Sequence, residues 1–343
     1  AGARAVSAAL APWLQAPLAQ ALALPRAHAV LLASLPGLAA FDAGQALAQA
    51  WLCESTEASA EAGQGAQACG RCQACHLFTQ RSHPDAHWLL PAALRVQLGW
   101  QEPDDKSKPS QEIRIDELRA MLGFAQSTAG RSRGKVVLIH PAEAMNGVAA
   151  NALLKTLEEP GGRLRFVLVS EAVDALLPTV RSRCQTVQVT LPDAAEGAAW
   201  LRAQHAGLSE LDAAALLRGA GQRPQQALAW LQAGLSAPRL AEFPRLVARG
   251  ELGEFTAWKP RALIDLLQRL ATDLLRVTAG AAPQYFEPAQ LPKARQAAPL
   301  QAWAAELRGA SAHAEHPLQW ALWLEALGVG AQAALRQACR SSP

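Results

Sequence analysis

Three short, nearly unbroken apolar runs constrain the fold most. They are His28-Ala-Val-Leu-Leu-Ala-Ser34, Val136-Val-Leu-Ile139 and Phe166-Val-Leu-Val-Ser170, followed by a short alternating piece, Val187-Gln-Val189. Between them the period changes. Ala43, Leu47, Ala50 and Trp51 fall on one side of a helix, and Asp116–Ala125 and Gly147–Glu159 read as further helices. A strand that is apolar throughout must be covered on both faces, and alternation with helices supplies the cover. The pattern therefore predicts an α/β domain built on a parallel sheet. Pro160-Gly161-Gly162 stops the last of these helices. The stretch Gln101–Gln111, with Pro103, Asp104, Asp105, Lys106, Lys108 and Pro109, reads as a solvated loop.

After Pro192 the strand signal ends. Residues 193–235 read as short helices, Pro238 and Pro244 as a linker, and Leu263, Leu266, Leu267, Leu270 and Leu274 as one face of a long helix. Pro283–Pro292 breaks the helical pattern once. A chain of 343 residues is too long for one core, and at 50% hydrophobic residues it can bury several. The expected division is an α/β domain over 1–192, a small helical domain over 193–235 and an all-α domain over 236–343.

The net charge of +3 is spread through the chain and does not make the dense basic patch of a dedicated DNA binder. No apolar run reaches the ~20 residues of a membrane span. Ala1–Leu24 is interrupted by Pro12, Trp13, Gln15, Pro17 and Gln20 and lacks the basic start of a secretory signal, so the expected location is the cytoplasm. The first residue is not Met, which leaves the natural start open.

Four of the six cysteines, Cys53, Cys69, Cys72 and Cys75, crowd into one stretch, while Cys184 and Cys339 stand apart. In a reducing compartment two successive x2 spacings after a fourth thiol point to a Cys₄ structural zinc, closed to substrate by its own ligands. Gly63, Gly65, Gly70 and Arg71 suit the tight turns such a site needs, and His76 and His83 are substitute ligands. Free or redox-active thiols are the alternative, and an iron–sulfur cluster fits the ligand type alone.

The first strand, the turn Leu35-Pro-Gly-Leu-Ala-Ala-Phe-Asp42 and the helix after it have the architecture of a phosphate-binding loop. That chemistry needs a second glycine, a lysine for the β/γ-phosphates and a hydroxyl for magnesium. Counting from Gly37, those places hold Ala39, Ala40 and Phe41, and Asp42 would repel phosphate. After Val136–Ile139, where a carboxylate pair handles magnesium and water, stands His140-Pro141, with Glu143 displaced. The expectation is no ATP chemistry in the chain's own pocket.

Asn151-Ala-Leu-Leu-Lys-Thr-Leu-Glu-Glu-Pro160, Ser182-Arg-Cys184, His83-Pro-Asp85, the placement of the cysteines and the altered phosphate loop together resemble the delta-prime subunits of bacterial clamp loaders, within the AAA+ family. The resemblance covers roughly residues 10–235. It implies a AAA+ (RecA-like) domain with a zinc module at 53–75, a helical lid, and a C-terminal collar that joins five subunits in a ring. It implies partners as well: gamma/tau ATPase subunits, the delta subunit and, through the complex, a sliding clamp and primed DNA. The chain would be an accessory of DNA polymerase III, a DNA-directed DNA polymerase, with no turnover of its own. Carried over, the family's arginine finger is Arg183, flanked by Ser182 and Cys184. An arginine is always charged and presents a planar fork of donors that matches phosphate oxygens.

Other residues read more plainly. Arg181 competes with Arg183 for the finger role. Asn151, Lys155 and Glu158 form a polar stripe on their helix, either solvated or at an interface, while Val148, Leu153, Leu154 and Leu157 supply apolar contacts. Ser170 is a strand terminus and Arg223 a helix-boundary arginine that could meet a ring neighbour. Cys184 is a small buried residue. Trp200, Trp230, Trp258, Trp303, Trp320 and Trp323 lie in helical patterns and suit helix packing more than base stacking. Two rival functions stay open: an active AAA+ ATPase, and a zinc-containing nucleic-acid-binding module.

Overall fold

The computed structural model describes residues 10–24, 27–55, 67–103, 108–131, 133–313 and 319–340. Gly63 and Gly65 of the cysteine stretch, Asp104, Asp105 and Lys106 of the expected loop, and residues 1–9 lie outside them. The chain divides into two compact units, Ala1–Leu191 and Pro192–Pro343.

The first unit runs α1 (Gln15–Ala23), β1 (Ala29–Ala33), α2 (Ala40–Leu52), α3 (Gln73–Thr79), β2 (Ala86–Leu89), α4 (Ala92–Gln97), α5 (Ile115–Gln126), β3 (Lys135–Ile139), α6 (Gly147–Glu158), β4 (Leu164–Ser170), α7 (Pro178–Arg181) and β5 (Gln185–Gln188). The sheet order is β2-β3-β4-β1-β5, and every pairing is parallel. This is the parallel sheet of an α/β domain expected from the buried runs.

Register explains why those runs are apolar on both faces. Leu31, Leu168, Ile139 and Leu89 are cross-strand partners in one row, buried in one cluster with residues of α5 and α6 such as Met121 and Leu153. On the other face α2 packs through Gly44, where an added Cβ would lie 2.6 Å from Val169 Cγ2 and 3.1 Å from Leu138 Cδ1. The side chains of β1 and β3 are accordingly buried throughout.

Local signals set the helix ends. Asn146 Oδ1 accepts from Ala149 N at 2.9 Å and starts α6, a cap that typically contributes about 1 kcal/mol. Gly162, at φ +61°, turns the chain after Pro160 into β4. At the start of α5 the Glu117 carboxylate accepts from Arg114 N at 2.9 Å. The elements without a reading in the sequence are β2, at the sheet edge, and the helices α1, α3, α4 and α7.

The second unit is all-α: α8 (Ala194–Gln204), α9 (Glu210–Gly219), α10 (Pro224–Gln232), α11 (Ala237–Arg249), α12 (Pro260–Thr278), α13 (Ala297–His313) and α14 (Trp320–Ala338). Asp193 and Ser209 cap α8 and α9 through N–H bonds from Glu196 at 2.8 Å and Asp212 at 3.0 Å. Buried residues from Ala198 to Ala338 form one cluster, so the division drawn near residue 235 passes through shared packing. Trp230, Trp258 and Trp303 lie in that cluster, and Trp200 and Trp320 pack against it. Trp323 meets Trp320 edge to face at 5.8 Å.

The expected linker is a correction. Pro238 and Pro244 both lie within α11. The first proline sits in the opening turn, where a missing N–H leaves no bond unmade. Pro244 is interior and buried, with Leu240, Phe243 and Val247 beside it in the packed face. Burial of that stripe outweighs the local cost of the ring.

Candidate functional site

β1 delivers the chain into the turn Ser34–Ala39, and α2 leaves it at Ala40. The turn keeps the backbone habits of a phosphate loop: Gly37 has φ +85°, and Ala39 sits in the left-handed region at φ +59°. Inside the turn, Trp13 Nε1 donates to Leu38 O at 2.9 Å. The side chains bring no charge to the positions expected for glycine, lysine and hydroxyl. Ala39 has only a methyl group, Ala40 is fully buried, and the Phe41 ring stacks on His140 with centroids 4.6 Å apart and planes at 18°. Trp100 lies 6.1 Å from Phe41, and the Arg81 guanidinium lies 4.7 Å over Trp100.

His140 is the first residue after β3. Burial pushes its imidazole down to about 4, against a smaller opposing effect from a hydrogen bond with the backbone of Val169, so the ring is neutral at pH 7. Glu143 Oε1 accepts from Glu171 N at 3.0 Å, beyond the end of β4. Ser170, fully buried, ends β4, and its hydroxyl accepts from Ala172 N at 3.3 Å, as a strand terminus should.

Ser182, Arg183 and Cys184 form the turn between α7 and β5. Arg183 is part-exposed, at 29% of its side chain, but it does not project freely. Its Nε donates to Glu158 Oε1 at 2.8 Å, its Nη2 donates to the same oxygen, and its Nη1 donates to Thr179 O at 2.8 Å. Arg181 pairs with Asp174 instead, at 3.4 Å. Burial pushes the Cys184 thiol up to about 12, so it is an inert packing residue. On α6 the residues Asn151, Lys155 and Glu158 are exposed, as the polar stripe requires. Val148, expected to supply an apolar contact, is 66% exposed on the same helix, where its branched side chain meets solvent.

The four cysteines converge. Cys53 follows α2, Cys69 lies in the approach to α3, Cys72 caps α3, and Cys75 is within it. Their sulfurs all lie within 4.8 Å of one another, with Cys53–Cys72 at 3.9 Å and Cys69–Cys75 at 4.0 Å. The N–H groups of Cys69, Cys72 and Cys75 each point at the sulfur of a neighbouring cysteine at 3.4 Å. An N–H from Arg71 holds the Cys69 thiol down to about 6, while burial pushes Cys75 up. The group could hold one metal ion. His83 is not among its ligands; its Nδ1 accepts from Asp85 N at 3.0 Å.

Asp85 and Arg131 complete the surroundings and were not singled out from sequence in these roles. The buried Asp85 carboxylate accepts from Gly130 N at 2.6 Å and Arg131 N at 2.7 Å. The Arg131 side chain donates to Glu54 at 2.5 Å and Gln73 at 3.0 Å, each next to a cysteine of the group. Only His83-Pro-Asp85, as a motif, hinted at this. Arg223 precedes α10, and its Nε is buried without a hydrogen-bond partner among the described residues. No helix among the described residues is long and apolar enough to cross a membrane.

The chain is 40% identical over 195 residues to DNA polymerase III subunit delta′ of Pseudomonas aeruginosa, covering 55% of this chain and 52% of that protein. It is 31% identical over 225 residues to the Escherichia coli subunit delta′, covering 64% of this chain and 60% of that protein. The chain thus spans little more than half the length of these relatives in the matched region. A gamma subunit-related protein of Thermotoga maritima, of known crystal structure, superposes with a TM-score of 0.45 at 16% identity, covering 96% of this chain and 100% of that one. The family described as DNA polymerase III, delta subunit, matches residues 18–193, more than half of the sequence, and the chain belongs to that family.

Proposed function

We propose that this chain is a non-hydrolysing clamp-loader subunit that lends Arg183 to the ATP site of a neighbouring ATPase subunit. The observation that carries the reading is the stack of Phe41 on His140. A magnesium–nucleotide site needs a hydroxyl and a carboxylate on the metal and an ammonium on the phosphates. Here a phenyl ring and a neutral imidazole stand in the first two places, and Ala40 stands in the third. Phosphoryl transfer is catalysed almost wholly by positioned charge, so a pocket without the required charge at those three places has no means to catalyse it.

Arg183 supports the second half of the reading. It sits on a surface turn at the N-terminal end of β5, whereas the phosphate-loop turn leaves the C-terminal end of β1, and the two strands are parallel neighbours. Pocket and arginine therefore occupy opposite ends of one sheet. That arrangement suits head-to-tail association, in which each subunit's arginine meets the next subunit's pocket. In the assembly, residues 193–235 serve as lid and 236–343 as collar of a five-subunit ring. Its neighbours are a gamma/tau ATPase subunit and delta, and the ring opens a sliding clamp onto primed DNA in the cytoplasm as part of the DNA polymerase III machinery.

The cysteine group is assigned one structural zinc. Four thiolates at ~2.3 Å from one tetrahedral ion have sulfurs about 3.8 Å apart. The separations of 3.9 and 4.0 Å match that spacing, and no ligand position is left for substrate. Zinc here would hold the stretch from Cys53 to Cys75 in shape.

Two measurements test the function. Purified chain, titrated with labelled magnesium–ATP, is expected to show neither binding nor turnover; stoichiometric binding with hydrolysis would make it an active ATPase. The complex reconstituted with Arg183→Ala is expected to assemble and lose most ATPase activity. Steeply salt-dependent DNA affinity of the isolated chain would favour the zinc-containing nucleic-acid module instead.

A further inference from the structure

We infer that Glu158 is the positioning residue of the arginine finger, an inference that rests on the finger reading of Arg183. A guanidinium has five N–H donors in a fixed plane. Arg183 gives two of them to Glu158 Oε1, through Nε and Nη2, and a third to Thr179 O through Nη1. The remaining contact, Nη1 to Ser182 Oγ at 3.5 Å, is too long to compete with a phosphate oxygen. Two N–H groups are thus left over for a ligand that arrives from outside the chain.

The two anchors come from different elements. Glu158 is the last residue of α6, held by the packed face of that helix, and Thr179 lies in α7. A free arginine side chain loses much rotamer freedom when it meets a phosphate. Here that freedom is already removed, because the plane of the guanidinium is fixed from two sides before a neighbour arrives. Arg181, two residues away, has one exposed partner, Asp174 at 3.4 Å, and no second anchor among the described residues. Geometry therefore separates the two arginines, which sequence left as competitors. Glu158 does not touch the nucleotide; it acts through Arg183.

The test compares wild-type chain, Glu158→Ala, Glu158→Gln and Arg183→Ala, each reconstituted with its ATPase partner subunits. Glu158→Ala is expected to lower kcat roughly tenfold with unchanged KM for ATP and unchanged assembly, as loss of orientation does. Glu158→Gln, which keeps the Oε1 acceptor, is expected to restore most of the rate. A Glu158→Ala complex as fast as wild type, or faster, while Arg183→Ala is slow would overturn the inference and leave the finger standing. A wild-type rate for Arg183→Ala would remove the finger itself and the inference with it. In the full chain alone, the Arg183 Nε–H resonance is expected to exchange slowly with water in wild type and fast in Glu158→Ala; equal exchange in both also overturns it.

Discussion

The turn after β1 and the turn before β5 lie at opposite ends of adjacent strands and have opposite chemistry. At the first, rings close over the loop: Phe41 on His140, Trp100 beside them, and no charged group at the positions that would handle phosphate or magnesium. At the second, a guanidinium is part-exposed and hydrogen-bonded on two sides. Both turns are supported by the same sheet, so their difference does not come from the fold. It comes from a few side chains. The fold fixes where the two turns lie, and local residues decide which of them carries a guanidinium and which is filled with rings.

The strongest way to break this contrast is to remove its charged half. Arg183→Ala in the reconstituted complex should lower ATPase at the adjoining site by on the order of 10³-fold, as expected for an arginine finger, with the isolated chain's melting temperature unchanged. Steady-state ATPase rates and thermal melts decide it together.

The ring-filled half has a pH signature. His140 is held down to about 4 in the folded chain, against an ordinary value of 6.5. The unfolded chain therefore takes up a proton that the folded chain refuses. Stability is complete above about pH 6.5 and falls as pH drops toward 4, by on the order of 3 kcal/mol across that window. Urea denaturation between pH 7 and 4.5 should show the decline, and His140→Phe should flatten this part of it. An unchanged slope in the variant would mean the ring is not sealed from water.

Phe41→Ala sharpens the contrast further. Loss of a half-buried stacked ring should cost about 2 kcal/mol by chemical denaturation. The opened pocket should still bind no magnesium–ATP by calorimetry, because Ala40 brings no ammonium. Recovery of nucleotide binding would show that bulk, not missing charge, closed the site. The smallest effect is expected at Ala39. Its φ of +59° strains a residue with a Cβ, so Ala39→Gly should be neutral to stabilising, by up to about 1 kcal/mol in the denaturation midpoint.

Much of the sheet was legible because its strands are buried on both faces. Val136–Ile139 and Phe166–Ser170 announce themselves by composition alone. The edge strand Ala86-His-Trp-Leu89 does not: it pairs on one side only, is half-covered, and carries histidine and tryptophan where a central strand has Val or Leu. The cysteine group was legible because its thiols are close in sequence. The Phe41–His140 stack was not, although the oddity of each residue was plain. Their meeting depends on β3 lying one strand beyond β4 from β1, which no local pattern states. The Arg183–Glu158 pair was hidden in the same way. Both residues were named, but the turn that joins them is tertiary. Pro244 misled because a proline's cost is local and its helix is held by burial along its whole length.

The Asp85 carboxylate has a consequence of its own. It gathers the amides of Gly130 and Arg131, and Arg131 in turn grips Glu54 and Gln73 on either flank of the thiol group. Four stretches far apart along the backbone are tied at one knot, which sits where the outermost strand begins. Fraying of the thiol group would therefore spread to that strand's margin, and amide exchange at residues 130 and 131 would register it from a distance.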